Sequence, residues 1–270
     1  MDKPDNPKKA CRCRRIQGTR ALRLYLLQFL FRLGLVASVT FMYVYDRALL
    51  LEVVQTFSWR HFTVVHLAWL VFMTLMLLHI IPIRAISMAR RKAHKETYRE
   101  RSGFEQLALL EQTQRLNLGA WRVMLVWLCF NALFGLAYLF GLIGEGELLL
   151  LTMLYFVCDH ICILFFCPFQ TFLMKNKCCV NCRIYDWGHF MMFTPMLFIR
   201  NFYSWSLFFM SLLVLINWEL GYAKHPERYW EGSNETLQCR NCKERTCQIK
   251  RALAGLEPPP PLTETKERSN

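Results

Sequence analysis

The chain has 270 residues, 54% of them hydrophobic and only 20% charged, with a formal net charge of +13. Its apolar residues come in runs near the roughly 20 needed to cross hydrocarbon, which excludes an ordinary soluble domain. The positive charge flanks those runs and forms no separate basic module, so it argues against nucleic acid. It points instead to span orientation and to anionic lipid headgroups as partners.

The expected fold is an all-α polytopic membrane protein. It is a bundle of five or six membrane-embedded helices with a cytoplasmic cysteine-rich, metal-binding cap and both termini cytoplasmic. Residues 1–21 form a basic arm holding Lys3, Lys8, Lys9, Arg12, Arg14, Arg15 and Arg20. Residues 22–83 carry two spans. The first lies within Leu22–Leu51, its hydrocarbon stretch near Phe29–Tyr45, with Arg32 expected to snorkel back to the headgroups. The second is Phe62–Ile83, between Trp59-Arg60-His61 and Arg84.

Residues 84–119 are a polar insert. A basic half, MARRKAHKETYRER, precedes FEQLALLEQTQRLNL, whose apolar residues recur at helical spacing, and Gly103 divides the two. This reads as a cytoplasmic helical hairpin, or as an extension of span two followed by an amphipathic helix. It would serve either as a solvated linker or as a docking surface for a protein partner.

Residues 120–169 hold span three (Trp121–Ile143) and span four (Leu148–Phe169). Only Gly144-Glu145-Gly146-Glu147 separates them, so they must be antiparallel neighbours. Residues 170–188 form a cysteine-rich loop. Residues 189–222 contain Pro195 and the interruption Arg200-Asn201. They are either one tilted span or a half-helix (Phe190–Ile199) followed by a span (Phe202–Trp218), and the basic tail 223–252 favours the second. The end, 253–270, includes four consecutive prolines and has a disordered composition.

The chemistry concentrates in 12 cysteines. Cys178, Cys179 and Cys182 form CCVNC after span four, and Cys239, Cys242 and Cys247 form CRNCKERTC in the tail. Cys11 and Cys13 lie in the basic arm. In a reducing compartment, thiols at two-residue gaps read as metal ligands, because such a pair can wrap a turn and aim both sulfurs at one ion. Lys177, Arg183, Arg240, Lys243 and Arg245 would offset the negative charge of a thiolate site.

The simplest site joins Cys179 and Cys182 to Cys239 and Cys242, with Cys178 and Cys247 as substitutes. These paired knuckles resemble a zinc ribbon split across a helical hairpin. Zn²⁺ is therefore expected, and an Fe–S cluster is the alternative. Asn234-Glu235-Thr236 would accept a glycan only if the tail lay outside.

A second constellation lies in span four, YFVCDHICILFFCPF. A carboxylate at membrane depth costs about 2.5–3.5 kcal/mol, so Asp159 is a functional hypothesis. Helical spacing aligns Cys158 with Cys162, and Asp159 lies beside Cys162. Counting back from the turn places Cys129 level with Cys162 and Asn131 level with His160, making one layer of thiols, carboxylate, amide and imidazole. Such a layer suits Zn²⁺ or Cu⁺, with Met191, Met192 and Met196 as further soft donors. The competing reading is plain packing, with Asp159 bonded to Asn131 or Tyr155. The run Asp186–Pro195 has the character of a broken helix that lines a cavity.

No phosphate-cradling glycine loop, G-x-S-x-G elbow, H-E-x-x-H or Rossmann fingerprint occurs, so no enzyme class is indicated. The expected function is a metal-stabilised membrane scaffold or sensor. The alternatives are a membrane electron-transfer protein with an Fe–S cluster and a soft-metal or proton carrier using the intramembrane Cys/Asp layer.

Overall fold

The structure is a computed structural model that describes residues 19–48, 50, 64–81, 87–176, 178, 181–242 and 246–253. Cys11, Cys13, Cys179, Trp59, Arg60, His61, Arg84 and residues 254–270 lie outside these. Among the described residues there is no strand. The helices are α1 Arg20–Tyr45, α2 Val64–Ile80, α3 Met88–Ala93, α4 Gln106–Leu139, α5 Glu145–Leu164, α6 Gly188–Phe193, α7 Phe202–Lys224 and α8 Gln248–Leu253. Short turns join them, among them a π-helical turn at Phe169–Leu173 and a 3₁₀ turn at Thr194–Phe198.

α1, α4, α5 and α7 are long and apolar enough to cross a membrane, and α2 is a shorter apolar helix. Together with outward-facing residues such as Leu27, Phe31, Trp121, Leu125 and Leu133, they point to a membrane protein. None of the apolar stretch of α1 is buried, against 44% for α5. α1 is thus the rim of the bundle and α5 its centre.

Local chemistry sets the helix starts. Thr19 Oγ1 accepts the Leu22 N–H at 3.2 Å, and Asn201 Oδ1 accepts the Ser204 N–H at 2.7 Å. Both are side-chain N-caps. α5 begins at Glu145 because the Glu147 carboxylate turns back to accept the Gly144 N–H at 2.8 Å.

Side-chain pairs give the helix directions. Along α1 and α5, Tyr43 meets Glu147, Arg32 meets Asp159 and Gln28 meets His160, so these helices are antiparallel. Along α2 and α7, His66 meets Tyr203, Trp69 meets Ser206 and Ile80 meets Asn217, so these are parallel. Tyr25 at the start of α1 bonds Tyr185, and His79 near the end of α2 stacks on His189. The start of α1 and the ends of α2, α5 and α7 therefore share one end of the bundle.

At that end the insert and tail interlock. The Arg101 N–H donates to Ser233 O and the Glu235 N–H to Arg99 O, both at 2.9 Å, around the bridge pair Glu100–Asn234. Asn234, fully buried, donates from Nδ2 to Arg228 O at 2.8 Å and to Lys92 O at 3.3 Å. The insert is thus no free-standing helical hairpin. Its first half docks on the tail through α3 and the bridge. Its second half runs unbroken into span three as the 34-residue α4. At 1.5 Å per residue α4 is about 51 Å long, well beyond the ~30 Å of hydrocarbon. Tyr229 is half-buried in this lobe, and desolvation pushes its phenol up to about 12 despite the opposing pull of Arg90.

The region after the loop divides in two. α6 and the 3₁₀ turn Thr194–Phe198 form a broken segment, and α7 returns beside it. The 3₁₀ turn packs on both α4 and α5 and wedges between them. Gly135 of α4 permits this, because a Cβ there would strike the Phe198 ring.

Candidate membrane-embedded polar and thiol site

Arg32 does not snorkel to the headgroups. It turns inward from α1, donating from Nη1 to Asp159 Oδ2 at 2.9 Å, and its guanidinium lies 4.0 Å from the Phe156 ring centroid. The reason is electrostatic: two lone opposite charges at matching depth stabilise each other more than either is stabilised by reaching for distant water. Arg32 and Asp159 are each the lone Asp, Glu, Lys or Arg deep within a helical apolar run, and that opposition is the sequence signal for this partner.

Asp159 has a crowded seat. His160 Nδ1 lies 3.4 Å from its Oδ2, and His160 donates from Nε2 to Gln28 Oε1 at 3.2 Å. The backbone of Gly188 comes so close that a Cβ there would sit 2.6 Å from Asp159 Oδ1. Broken helix and carboxylate therefore approach only because residue 188 has no side chain. Around this pair a cavity of about 370 Å³ is lined by Tyr25, Gln28, His79, Arg91, Tyr185, Asp186 and His189. Asp186 is held from the other side by Ser87 Oγ at 2.9 Å and by Arg90, whose guanidinium also reaches the carbonyls of His79 and Val214.

The expected single layer separates into parts. Asn131 is buried and donates to Trp127 O at 2.9 Å, while its Oδ1 accepts from Tyr155 at 3.3 Å. It does not face His160. α4 ends at Leu139, not Ile143, and α5 starts at Glu145, not Leu148, so residues across the turn pair about one helical turn earlier than equal counting implied. Cys129 leaves the layer altogether and is exposed on the outer face of α4. Asp159 bonds neither Asn131 nor Tyr155.

Cys158 and Cys162 remain on one face of α5 and line a second cavity of about 360 Å³ with Cys167, Cys182, Met191, Met192 and Trp127. Asp159, Gly188, Tyr185 and Met192 border both cavities. Met196 lies elsewhere, its sulfur 3.5 Å from Ser204 Oγ. The Cys162 and Cys167 thiols share this cavity, and the Gln170 N–H points at Cys167 Sγ at 3.4 Å. In the sequence Cys167 stands out only as half of the Cys167-Pro168 pair, and Lys250 only as one basic residue of the tail. The π turn that brings Cys167 back has no periodic signal, and α8 reaches in from the tail.

Of the knuckle residues, Cys182 is buried in the hydrophobic core, whereas Cys178, Cys239, Cys242 and Cys247 are half-buried. Lys92 Nζ donates to Cys242 Sγ at 3.3 Å. Loop and tail meet directly: Asn181 Nδ2 donates to Glu231 Oε2 at 3.2 Å and to Leu237 O at 3.3 Å. Among the described residues no three His, Cys, Asp or Glu side chains converge to hold a metal. Comparison of the chain with family models, with curated proteins and with solved structures finds no match.

Proposed function

We propose that this is a multi-pass membrane protein whose loop and tail form a zinc-stabilised cap on the cytoplasmic side, acting as a scaffold or sensor. The supporting observation is the clasp through Asn181, which holds the Cys178-bearing loop against the segment leading to Cys239. Because Cys182 turns into the core, the ligand set is Cys178 or Cys179 with Cys239, Cys242 and Cys247. Zinc would draw these thiols inward to four-fold coordination. The basic residues at this end favour the cytoplasmic side by the positive-inside rule, which would set it against anionic headgroups with residues 84–119 as the surface for a protein partner.

Metal analysis with a visible spectrum on the purified full-length chain is the test. One zinc per chain, colourless and lost in Cys239→Ser/Cys242→Ser, is the expected result. A brown protein with iron would replace the reading by electron transfer through an Fe–S cluster. Metal-free protein of undiminished stability would end both. A second reading, soft-metal or proton movement, draws on the thiols of Cys162 and Cys167.

A further inference from the structure

α5 ends at Leu164, and the chain then turns through Pro168 into the π turn. This carries Cys167 back toward Cys162, in the last turn of the helix, and both thiols line one cavity. Lys250 reaches in from α8 and is fixed on both sides, donating to Cys162 O at 2.9 Å and to Gln170 Oε1 at 2.6 Å. An ammonium thus stands beside the sulfur pair. The pair opens on the 360 Å³ cavity, whose lining adds the sulfurs of Cys158, Cys182, Met191 and Met192.

We propose that Cys162 and Cys167 bind a soft monovalent d¹⁰ cation, Cu⁺, with the thioethers of Met191 and Met192 lining its approach. Thiolate and thioether donors favour Cu⁺, whereas Mg²⁺ and Ca²⁺ select sets of oxygen ligands. Zn²⁺ needs four donors, whereas Cu⁺ is satisfied by two thiolates in line. A two-sulfur site is therefore compatible with the lack of any three-residue metal group among the described residues.

Loading breaks two S–H bonds, forms two Cu–S bonds and releases two protons, with no electron transferred. The pair passes from neutral to one net negative charge. Burying that charge in an apolar cavity is unfavourable unless a cation is at hand, and Lys250 supplies it. The site is distinct from the zinc cap and shares none of the proposed zinc ligands.

The full-length protein, purified and reduced under argon, is titrated with Cu⁺ against a chelator that forms a coloured Cu⁺ complex. One Cu⁺ per chain should be withdrawn from the chelator. Cys162→Ser and Cys167→Ser should each weaken retention about a hundredfold or more, and Lys250→Met about tenfold. Cys129→Ser, on the outer face of α4, should leave binding intact. So should Cys239→Ser/Cys242→Ser, which strips zinc and so separates failure of this site from failure of the cap. X-ray absorption at the copper edge of the wild-type protein should show two sulfur neighbours, and this decides the matter if the Cys variants do not fold. Copper left wholly with the chelator, copper retained by Cys162→Ser/Cys167→Ser, nitrogen or oxygen neighbours at the edge, or disulfide formation without copper uptake would each overturn the proposal.

Discussion

Two ion pairs tie α1 and the residues just after it to α5, Arg32–Asp159 and Arg47–Glu147, each with an N–O distance of 2.9 Å. Arg47 is half exposed at the far end of the seam, whereas the Arg32 side chain retains 17% of its exposure within the bundle. Distance alone therefore says nothing about what each pair contributes. An exposed pair exchanges good hydration for modest attraction and lost side-chain freedom. An inner pair has no hydration to return to, so its worth lies in what would follow if one partner were removed. The inner pair dictates how α1 seats on α5, and the outer one trims the end of the contact.

Removing Arg32 breaks the comparison most sharply. Arg32→Met leaves the Asp159 carboxylate facing the bundle without its cation and should lower stability by about 3 kcal/mol, as for a buried pair with one partner lost. Thermal unfolding in detergent measures this. Arg32→Met/Asp159→Asn, which removes both charges, should regain most of the loss. If the double variant is no more stable than the single one, the pair is not the seat of α1.

Gly188→Ala tests the same seat from the broken segment. The added methyl would meet Asp159 Oδ1 at 2.6 Å, so carboxylate or α6 must yield. Overpacking of this kind costs about 1–3 kcal/mol. The substitution should be milder in an Asp159→Ala background, which opens the space, and equal losses in both backgrounds would show that Gly188 matters for another reason.

The class of fold was legible because hydrophobic run length reports it directly: Phe29–Tyr45 and Phe202–Trp218 fall within long helices, and Trp121–Ile143 does so as far as Leu139. What was hidden is whatever depends on where a helix starts or stops. Sequence alone could not show that α4 would stop at Leu139 and that Glu147 would cap Gly144 and start α5 early, which together moved Asn131 from His160 to Tyr155. Nor does FEQLALLEQTQRLNL announce that it continues into α4, since amphipathic and spanning helices share one period. Asp159 was flagged by its cost at membrane depth. Its partner was missed because Arg32, with its long stem, has two physically sound destinations, and packing against Phe156 decides between them. The thiol pair was half legible: Cys162 lies on a predictable helix face, but Cys167 comes to it through an irregular turn.

Glu147→Ala probes the far end of the seam, where one carboxylate caps α5 and also accepts from Tyr43 and Arg47. Loss of a helix cap costs about 1 kcal/mol, so this variant should fall well short of Arg32→Met.

Arg47→Ala should be the smallest effect, roughly 0.2–1 kcal/mol, because the carboxylate keeps its cap and its tyrosine. The useful measurement is salt dependence. At 0.1 M ionic strength screening acts over about 10 Å between exposed charges and scarcely at all between enclosed ones. Raising salt should therefore erase the difference between wild type and Arg47→Ala while leaving the Arg32→Met deficit in place. An Arg32→Met deficit that faded equally with salt would mean that water and ions reach Asp159 freely, and that the polar cavity around it communicates with bulk solvent.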